Sequence, residues 1–377
     1  MEFTIERSSL RNGLSLVQGV VERPTTMPIL GSVLMEAEGD RLRLAATDLE
    51  VGIRAELAAQ VAKGGIITAP ARKLWEIVQE TESDSVTLRA LDNEQVEVRC
   101  GRAVFKMMSL DARSFPAMPS GEKLEALAPE SARAHLKLGP QVLRQMIDRV
   151  LFSASADESR YALNGVFIEA TSAGTARLVT TDGHRLAMID REAPGFAAER
   201  GAILPRKGVS QIDKIIAFNS QDEVELMIES RLAWLNCGSA QLSMRLVEGE
   251  FPDYRAVIPT QPRYAITVGL KPLQAAVKRA AIFSNERFHG VKLHVNGPEL
   301  TVSSITPGLG EASDVIDIEF SGEEFSVGFN SSYLLQMLSV MPEDSSVNLG
   351  LTDEVSPGLI TVDSDSSYVY VVMPMRL

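Results

Sequence analysis

Only two cysteines occur in 377 residues, Cys100 and Cys237, too few and too far apart for a disulfide framework or a zinc ligand set. A reducing cytosol fits best. The four histidines, His135, His184, His289 and His294, are scattered, and no HExxH, CxxC, GxGxxG or GxxxxGK motif is present, so the common metal, redox and nucleotide signatures are missing. No run approaches the ~20 apolar residues that span a bilayer, and the opening MEFTIERSSL lacks the apolar core of a signal peptide. The expectation is a cytoplasmic protein, neither exported nor inserted. Aromatic residues make up only 6%, which disfavours platforms that stack single-stranded bases. Basic residues are also in deficit, 37 against 50 acidic for a formal net charge of −13, and this argues against gripping nucleic acid by bulk phosphate neutralisation if the charge is evenly spread. What is present is a composition 45% hydrophobic and 23% charged, enough for substantial cores and two or three domains.

The chain carries the same order of parts three times. An amphipathic segment (Leu10, Leu14, Val17, Val21), a polar break and two strand-like runs ending in Thr47-Asp48 open the chain. The middle repeats this with Leu143, Met146, Ile147 and Val150 on one helical face and Thr181-Asp182 in the matching place, and the last third with Leu273, Ala276, Val277 and Ala280. Leu10, Leu143 and Leu273 are spaced by 133 and 130 residues. Each of these halves is succeeded by a second unit of strand, polar cap and helix, in ITAPARKLWEIV, AILPRKGVSQIDKII and FSVGFNSSYLLQML, and then by alternating strand-like runs. Phe115-Pro116 and Phe251-Pro252 stand 136 residues apart at matching ends. Polar or proline-bearing joints at SGEKLEALAPES and IPTQPR divide the chain into domains 1–125, 132–258 and 261–377. Each domain is read as two helix-plus-antiparallel-sheet units, an α+β class. Such an array leaves free strand edges at its two ends, and head-to-tail association closes a ring if the rotation between domains sums to a full turn.

Charge is distributed unevenly. Six predicted helical segments (7–21, 71–80, 139–152, 205–219, 271–285 and 330–341) hold twelve basic residues, Arg7, Arg11, Arg72, Lys73, Arg144, Arg149, Arg206, Lys207, Lys214, Lys271, Lys278 and Arg279, against Glu76, Glu80, Asp148 and Asp213. The helices thus carry +8 and the remainder −21. If the helices share one side, an acidic protein still offers duplex DNA a positive surface of loose phosphate contacts. The plainer alternative is that lysine and arginine are good helix formers on solvated faces.

TTDGHRLA (Thr180 to Ala187), PRKG (Pro205 to Gly208), EGEFPDYRAVIP (Glu248 to Pro259), AAIFSNERFHGVKL (Ala280 to Leu293), GFNSSYLL (Gly328 to Leu335) and the terminal YVVMPMRL (Tyr370 to Leu377) closely resemble the blocks of the bacterial DNA polymerase III β subunit family, the sliding clamps. RPTTMPIL (Arg23 to Leu30), TDLE (Thr47 to Glu50) and PARKLWEI (Pro70 to Ile77) extend the resemblance over the whole chain in order. It implies a DNA-clamp fold and a head-to-tail homodimeric ring around double-stranded DNA. It further implies a non-enzymatic, nucleoid-associated processivity factor that tethers the DNA polymerase III α subunit, the clamp loader, other polymerases and repair factors without sequence-specific DNA contacts.

The resemblance also implies residues. A cleft for a short apolar linear motif would use Leu163, Thr181, Gly183, His184, Arg185, Leu186, Pro252 and Val257, with Asn330, Tyr333, Val371, Met373, Pro374, Met375, Arg376 and Leu377. Unbranched, polarisable Met373 and Met375 suit a pocket that accepts several peptides, and in the Asp182-Gly-His-Arg turn His184 and Arg185 would present ring and guanidinium. DNA would meet Arg23, Arg72, Tyr161 and Arg206, and at the subunit joint Ile282 and Phe283 would meet Lys73 and Phe105 of the second copy. The chain departs from some family members at Ala162, where a second aromatic can follow Tyr161, and at Ala256, where an arginine can follow Arg255. No cofactor and no metal is implied. Two other readings remain open from the residues alone: a hydrolase in which Asp182 orients His184 as a base, and a monomeric repeat scaffold that binds only proteins.

Overall fold

The computed structural model describes residues 1–21, 27–118, 134–198, 200–219, 223–229, 231–285 and 287–376. Among the described residues six α-helices match the six segments where periodicity predicts them, five lying inside those bounds and one, α5, starting a residue earlier: α1 (Arg7–Val17), α2 (Ala71–Glu80), α3 (Pro140–Val150), α4 (Arg206–Phe218), α5 (Leu270–Ala281) and α6 (Ser331–Ser339). The ends of α1 and α3 tighten into 3-10 turns at Gln18–Val20 and Leu151–Ser153. Leu10, Leu14 and Val17 are fully buried, one per turn of α1, which is the apolar stripe that a half-buried helix requires. Gly13 lets that stripe approach its sheet: a Cβ there would lie 2.7 Å from a Leu57 methyl and 3.0 Å from one of Leu44. The loss of helix propensity, about 1 kcal/mol, is offset by that close packing.

The described residues group into two compact units. The first comprises Met1–Arg144, a short stretch from Gly195, and Lys207–Leu246. It holds a five-stranded sheet in the order Gln60–Lys63, Glu2–Glu6, Ser85–Leu91, Gln95–Cys100, Ala103–Met108. Its eight-stranded sheet runs Ala134–Leu138, Val224–Ile228, Leu232–Cys237, Ala240–Arg245, Val51–Ala58, Arg41–Thr47, Ser32–Glu38, Gly65–Pro70. Inside that sheet the first repeat meets the second half of the middle repeat, with Ala240 opposite Ala55 and Met244 opposite Val51.

The second unit comprises Gln145–Pro194, Arg200–Arg206 and the residues from Val247 onward. Its eight-stranded sheet runs Ala202–Pro205, Gly165–Ala170, Thr175–Thr181, Arg185–Glu192, Asp365–Val372, Gly358–Val362, Ser346–Leu351, Tyr264–Gly269, and a four-stranded sheet runs Gly310–Asp317, Glu299–Thr306, Gly290–Asn296, Phe325–Asn330. Here the first half of the middle repeat meets the last repeat, Arg185 opposite Val372 and Leu186 opposite Val371. Compactness therefore follows the hydrogen-bonded ladders, which continue from one repeat into the next because every buried backbone donor and acceptor needs a partner. Among the described residues no helix is long and apolar enough to cross a membrane.

Candidate functional site

In the second unit, strand Thr175–Thr181 turns into strand Arg185–Glu192 through a turn written by its own side chains. Thr181 Oγ1 donates to the Arg185 carbonyl (2.6 Å) and accepts from the Gly183 amide (3.1 Å). Asp182 Oδ1 accepts from the amides of His184 (2.9 Å) and Arg185 (3.1 Å), an Asx-type turn. Gly183 sits at φ +88°, a left-handed conformation that glycine adopts without steric cost. The first repeat builds the same turn from Thr47, Asp48 and Leu49. There Leu49 accepts φ +80°, its amide donates to Thr47 Oγ1 (3.0 Å), and Asp48 Oδ1 takes the amides of Glu50 and Val51 (2.9 and 2.6 Å).

Arg185 lies beneath this turn rather than on it, with a side chain only 7% accessible. Its guanidinium donates to Asp182 Oδ2 (3.1 Å), Gln336 Oε1 (2.9 Å) and the Phe152 carbonyl (2.7 Å), and its Cζ stands 4.3 Å from the centre of the Tyr333 ring. The expected presentation of this guanidinium to a peptide is corrected here: a buried cation must spend its donors internally. The same geometry leaves the hydrolase reading without its dyad, since Asp182 is committed to two backbone amides and Arg185 rather than to the His184 ring. The exposed imidazole of His184 instead stacks on Tyr333, centroids 6.5 Å apart and planes at 19°. Burial raises the Tyr333 phenol above its ordinary pKa, with Asp182 adding to the rise and Arg185 opposing it.

The chain end is laid against this turn. The Met373 amide donates to the His184 carbonyl (2.8 Å) and the Met375 amide to the Gly328 carbonyl (2.9 Å), leaving Met373, Pro374 and Met375 half-buried and Arg376 exposed. Asn330 caps α6, its Oδ1 accepting from Ser332 (2.9 Å) and Tyr333 (3.3 Å), as N-cap residues do. The Tyr370 hydroxyl donates to the Tyr333 carbonyl (3.0 Å). Leu186 and Val371 share a buried cluster with Val179, Met188 and Tyr254. Tyr254 anchors the segment that bears exposed Pro252 and Val257: its hydroxyl bonds Glu169 and accepts from Arg177 (3.1 Å), Arg177 grips Asp190 with two 2.7 Å bonds, and Phe251 stacks on Phe167 at 4.8 Å. Leu163, half-buried, follows Arg160, whose Nη1 donates to the Asp182 carbonyl (3.0 Å). The described members of the cleft set thus lie along connected contacts, while Leu377 lies outside the described residues. Phe152, Gln336, Tyr370, Tyr254 and Arg177 were not singled out for the cleft from sequence. Their roles rest on partners up to 151 positions away, as Gln336 is from Arg185, and no local pattern marks them.

The cationic helices are more neutralised than their composition indicates. Arg149 does not face solvent: it is buried against Asp365, which Arg191 also binds, and burial pulls its pKa down. Arg144 pairs with Asp213 at 2.7 Å, Lys207 with Asp48, and Lys271 with Glu343 and Asp344 at 3.0 and 3.2 Å. Arg206 donates to the Ser155 carbonyl at 3.1 Å. Arg72 and Lys73 stay exposed while sharing Glu76 (3.1 and 2.7 Å), whose carboxyl is held below its ordinary range chiefly by the Lys73 hydrogen bond. Arg11 and Lys278 are exposed with no ion-pair partner among the described residues. Tyr161 is 72% exposed. Arg23 lies outside the described residues.

Two sheets end in strands that bury little. Ala103–Met108 is the last strand of the five-stranded sheet, with Phe105 39%, Val104 48% and Met108 58% exposed. Gly310–Asp317 is the last strand of the four-stranded sheet, with Val315 53% exposed. In that same unit Ile282 is 71% exposed, and Phe283 is half-buried with its ring against Gly310. Among the described residues no group of three or more histidine, cysteine or acidic side chains is arranged to hold a metal ion.

The chain matches three families end to end: the N-terminal domain of the DNA polymerase III beta subunit over residues 1–119, its central domain over 137–253 and its C-terminal domain over 255–376. It is 35% identical to the beta sliding clamp of Pseudomonas putida and 34% identical to that of Escherichia coli K12, in both cases over 100% of each chain. Among solved structures it is similar to the DNA polymerase III subunit beta of Pseudomonas aeruginosa (TM-score 0.91, 34% identity) and to a sliding clamp of Bartonella birtlesii bound to griselimycin (TM-score 0.93, 31% identity), each covered over 100% of both chains.

Proposed function

The chain belongs to the DNA polymerase III β subunit family, the β sliding clamps, and on that footing we propose that two copies close head to tail into a ring through the two exposed sheet edges. The DNA-clamp function itself, non-catalytic and exercised with the polymerase, comes with the family. The observation that carries the ring is that two of the edge strands, Ala103–Met108 and Gly310–Asp317, bear exposed apolar side chains and stand beside Lys73 or exposed Ile282 in the joint the family resemblance implies. A free apolar edge is a template for another chain. Joining one edge to the other of a second copy pairs its backbone groups and covers Phe105 with Ile282 and Phe283, Lys73 standing at the rim. Each copy carries one edge of each kind, so the contact repeats, and two copies of three repeats each complete the ring when the rotation between repeats sums to a full turn.

The retained helix cations then have a modest task. A closed ring stays on a duplex however weakly it binds, so exposed Arg72, Arg11 and Lys278, with Tyr161 and Arg23, need only loose phosphate contacts. Excess negative charge elsewhere discourages DNA from adhering outside. Clients dock in the cleft of His184, Tyr333, Met373 and Met375: the replicative polymerase α subunit, the clamp loader, other polymerases and repair factors, each through a short apolar segment. The work is done in the cytoplasm, on the nucleoid.

Loading the protein on nicked circular DNA and then cutting the circle tests this reading. A topologically held ring is retained on the circle and escapes once the DNA is linear. Equal retention on both forms ends the ring reading. Phe105→Arg, which places a charge against the apolar joint, is expected to yield monomers in sedimentation and to abolish retention. If Phe105→Arg remains dimeric, the edges are not the joint.

A further inference from the structure

The cleft is electrically polar along its length. At the Pro252 end, the cations that a peptide would meet are spoken for. Arg255 is held by Glu169 (2.5 Å) with its Cζ 4.7 Å from the centre of the Tyr254 ring, and Arg177, which donates to the Tyr254 hydroxyl, is committed to Asp190. Position 256, next to Val257, is an exposed alanine. The same segment carries Glu248, Glu250 and Asp253, all exposed and with no ion-pair partner among the described residues. At the Asn330 end the sign reverses. Asn330 Nδ2 donates to the Phe288 carbonyl (3.4 Å), and Phe288 is preceded by exposed Arg287, whose guanidinium lies 5.5 Å from the centre of the Phe288 ring. Met375, bonded to Gly328, is followed by exposed Arg376. Neither Arg287 nor Arg376 has an ion-pair partner among the described residues.

We propose that this polarity selects and orients the occupant: the cleft takes a short peptide whose apolar core is flanked by a basic residue at the Pro252–Val257 end and an acidic residue at the Asn330 end. The inference rests on the reading of this cleft as the client-docking site and adds which clients fit it best. Like charges brought together across an interface disfavour a wrong partner, and opposite charges fix register. An arginine at position 256 would offset the acidic end; the alanine leaves it uncompensated.

The test uses the full-length protein and two synthetic peptides of identical composition, a Leu-Leu-Phe core with lysines on one flank and aspartates on the other, and the same core with the flanks exchanged. Fluorescence anisotropy at low salt is expected to separate them by about three- to tenfold, the scale of a few exposed ion pairs, and the gap is expected to close at high salt as screening shortens the range of surface charge. Ala256→Arg, at an exposed site where the longer side chain meets no core, is expected to narrow the gap at low salt. Equal affinity of the two peptides, or a gap that Ala256→Arg leaves unchanged, overturns the polarity while leaving the docking site intact. Binding of neither peptide overturns both readings together.

Discussion

Arg185→Ala should unfasten the cleft from below. The native guanidinium makes three hydrogen bonds, to Asp182, Gln336 and the Phe152 carbonyl, and lies 4.3 Å from the Tyr333 ring centre. Hydrogen bonds to a charged group contribute about 1.5–3 kcal/mol each and do not add in a shared network. Removing one partner of a buried ion pair costs about 3–5 kcal/mol, because the other charge stays behind uncompensated. The effect should be local, since Arg185 ties the Thr181–Arg185 turn to the end of α3 and to α6. The Met373 amide, bonded to the His184 carbonyl at 2.8 Å, reports on the seam between turn and chain end. Where its exchange proceeds by local opening of that seam, a loss of about 3–5 kcal/mol speeds hydrogen exchange there by roughly a hundred- to several-thousand-fold, and peptide affinity falls with it. Arg185→Lys retains the charge without the planar fork and should fall between wild type and alanine on both measures. If Arg185→Ala abolished peptide binding while leaving Met373 protection unchanged, the arginine would act on the peptide directly and the buried role argued from its contacts would be wrong.

Two further outcomes stem from backbone strain and from burial. Leu49 holds φ +80° while 46% exposed, so Leu49→Gly relieves a left-handed cost of about 1–2 kcal/mol, partly offset by glycine's unfolded-state entropy of about 0.5–1 kcal/mol. Thermal unfolding should show a small net stabilisation, and a lowered Tm would show that the leucine side chain contributes more than its backbone costs. Burial raises the phenol pKa of Tyr254, Tyr333, Tyr368 and Tyr370 above the ordinary value. A folded-state pKa above the unfolded value of about 10 gives stability that is complete below that pH and is lost as pH climbs through the folded values. Alkaline titration should therefore show tyrosinate absorbance rising together with loss of circular dichroism, and full ionisation near pH 10 with the fold intact would contradict the burial.

Much of the architecture was legible in the order of residues. Helix periodicity and strand alternation are local properties, so α2 at Ala71–Glu80 and the twin turns at Thr47-Asp48 and Thr181-Asp182 were foreseeable from side-chain type and spacing. The threefold repeat was legible for the same reason, since each copy repeats the same local grammar. Arg149 shows where that reading stops. By sequence it is one more helix cation, yet it is buried against Asp365, 216 positions later. Strand Ala240–Arg245 joins Val51–Ala58 across a similar gap, and Arg185 is turned inward by Gln336 and Phe152. Spacing along the chain determined which residues form helices, strands and turns, because those preferences are settled within a few neighbours. Packing alone decided which strands continue one sheet, which arginines are spent inside and which edges stay bare, because those outcomes depend on partners that only the folded chain brings within hydrogen-bonding distance.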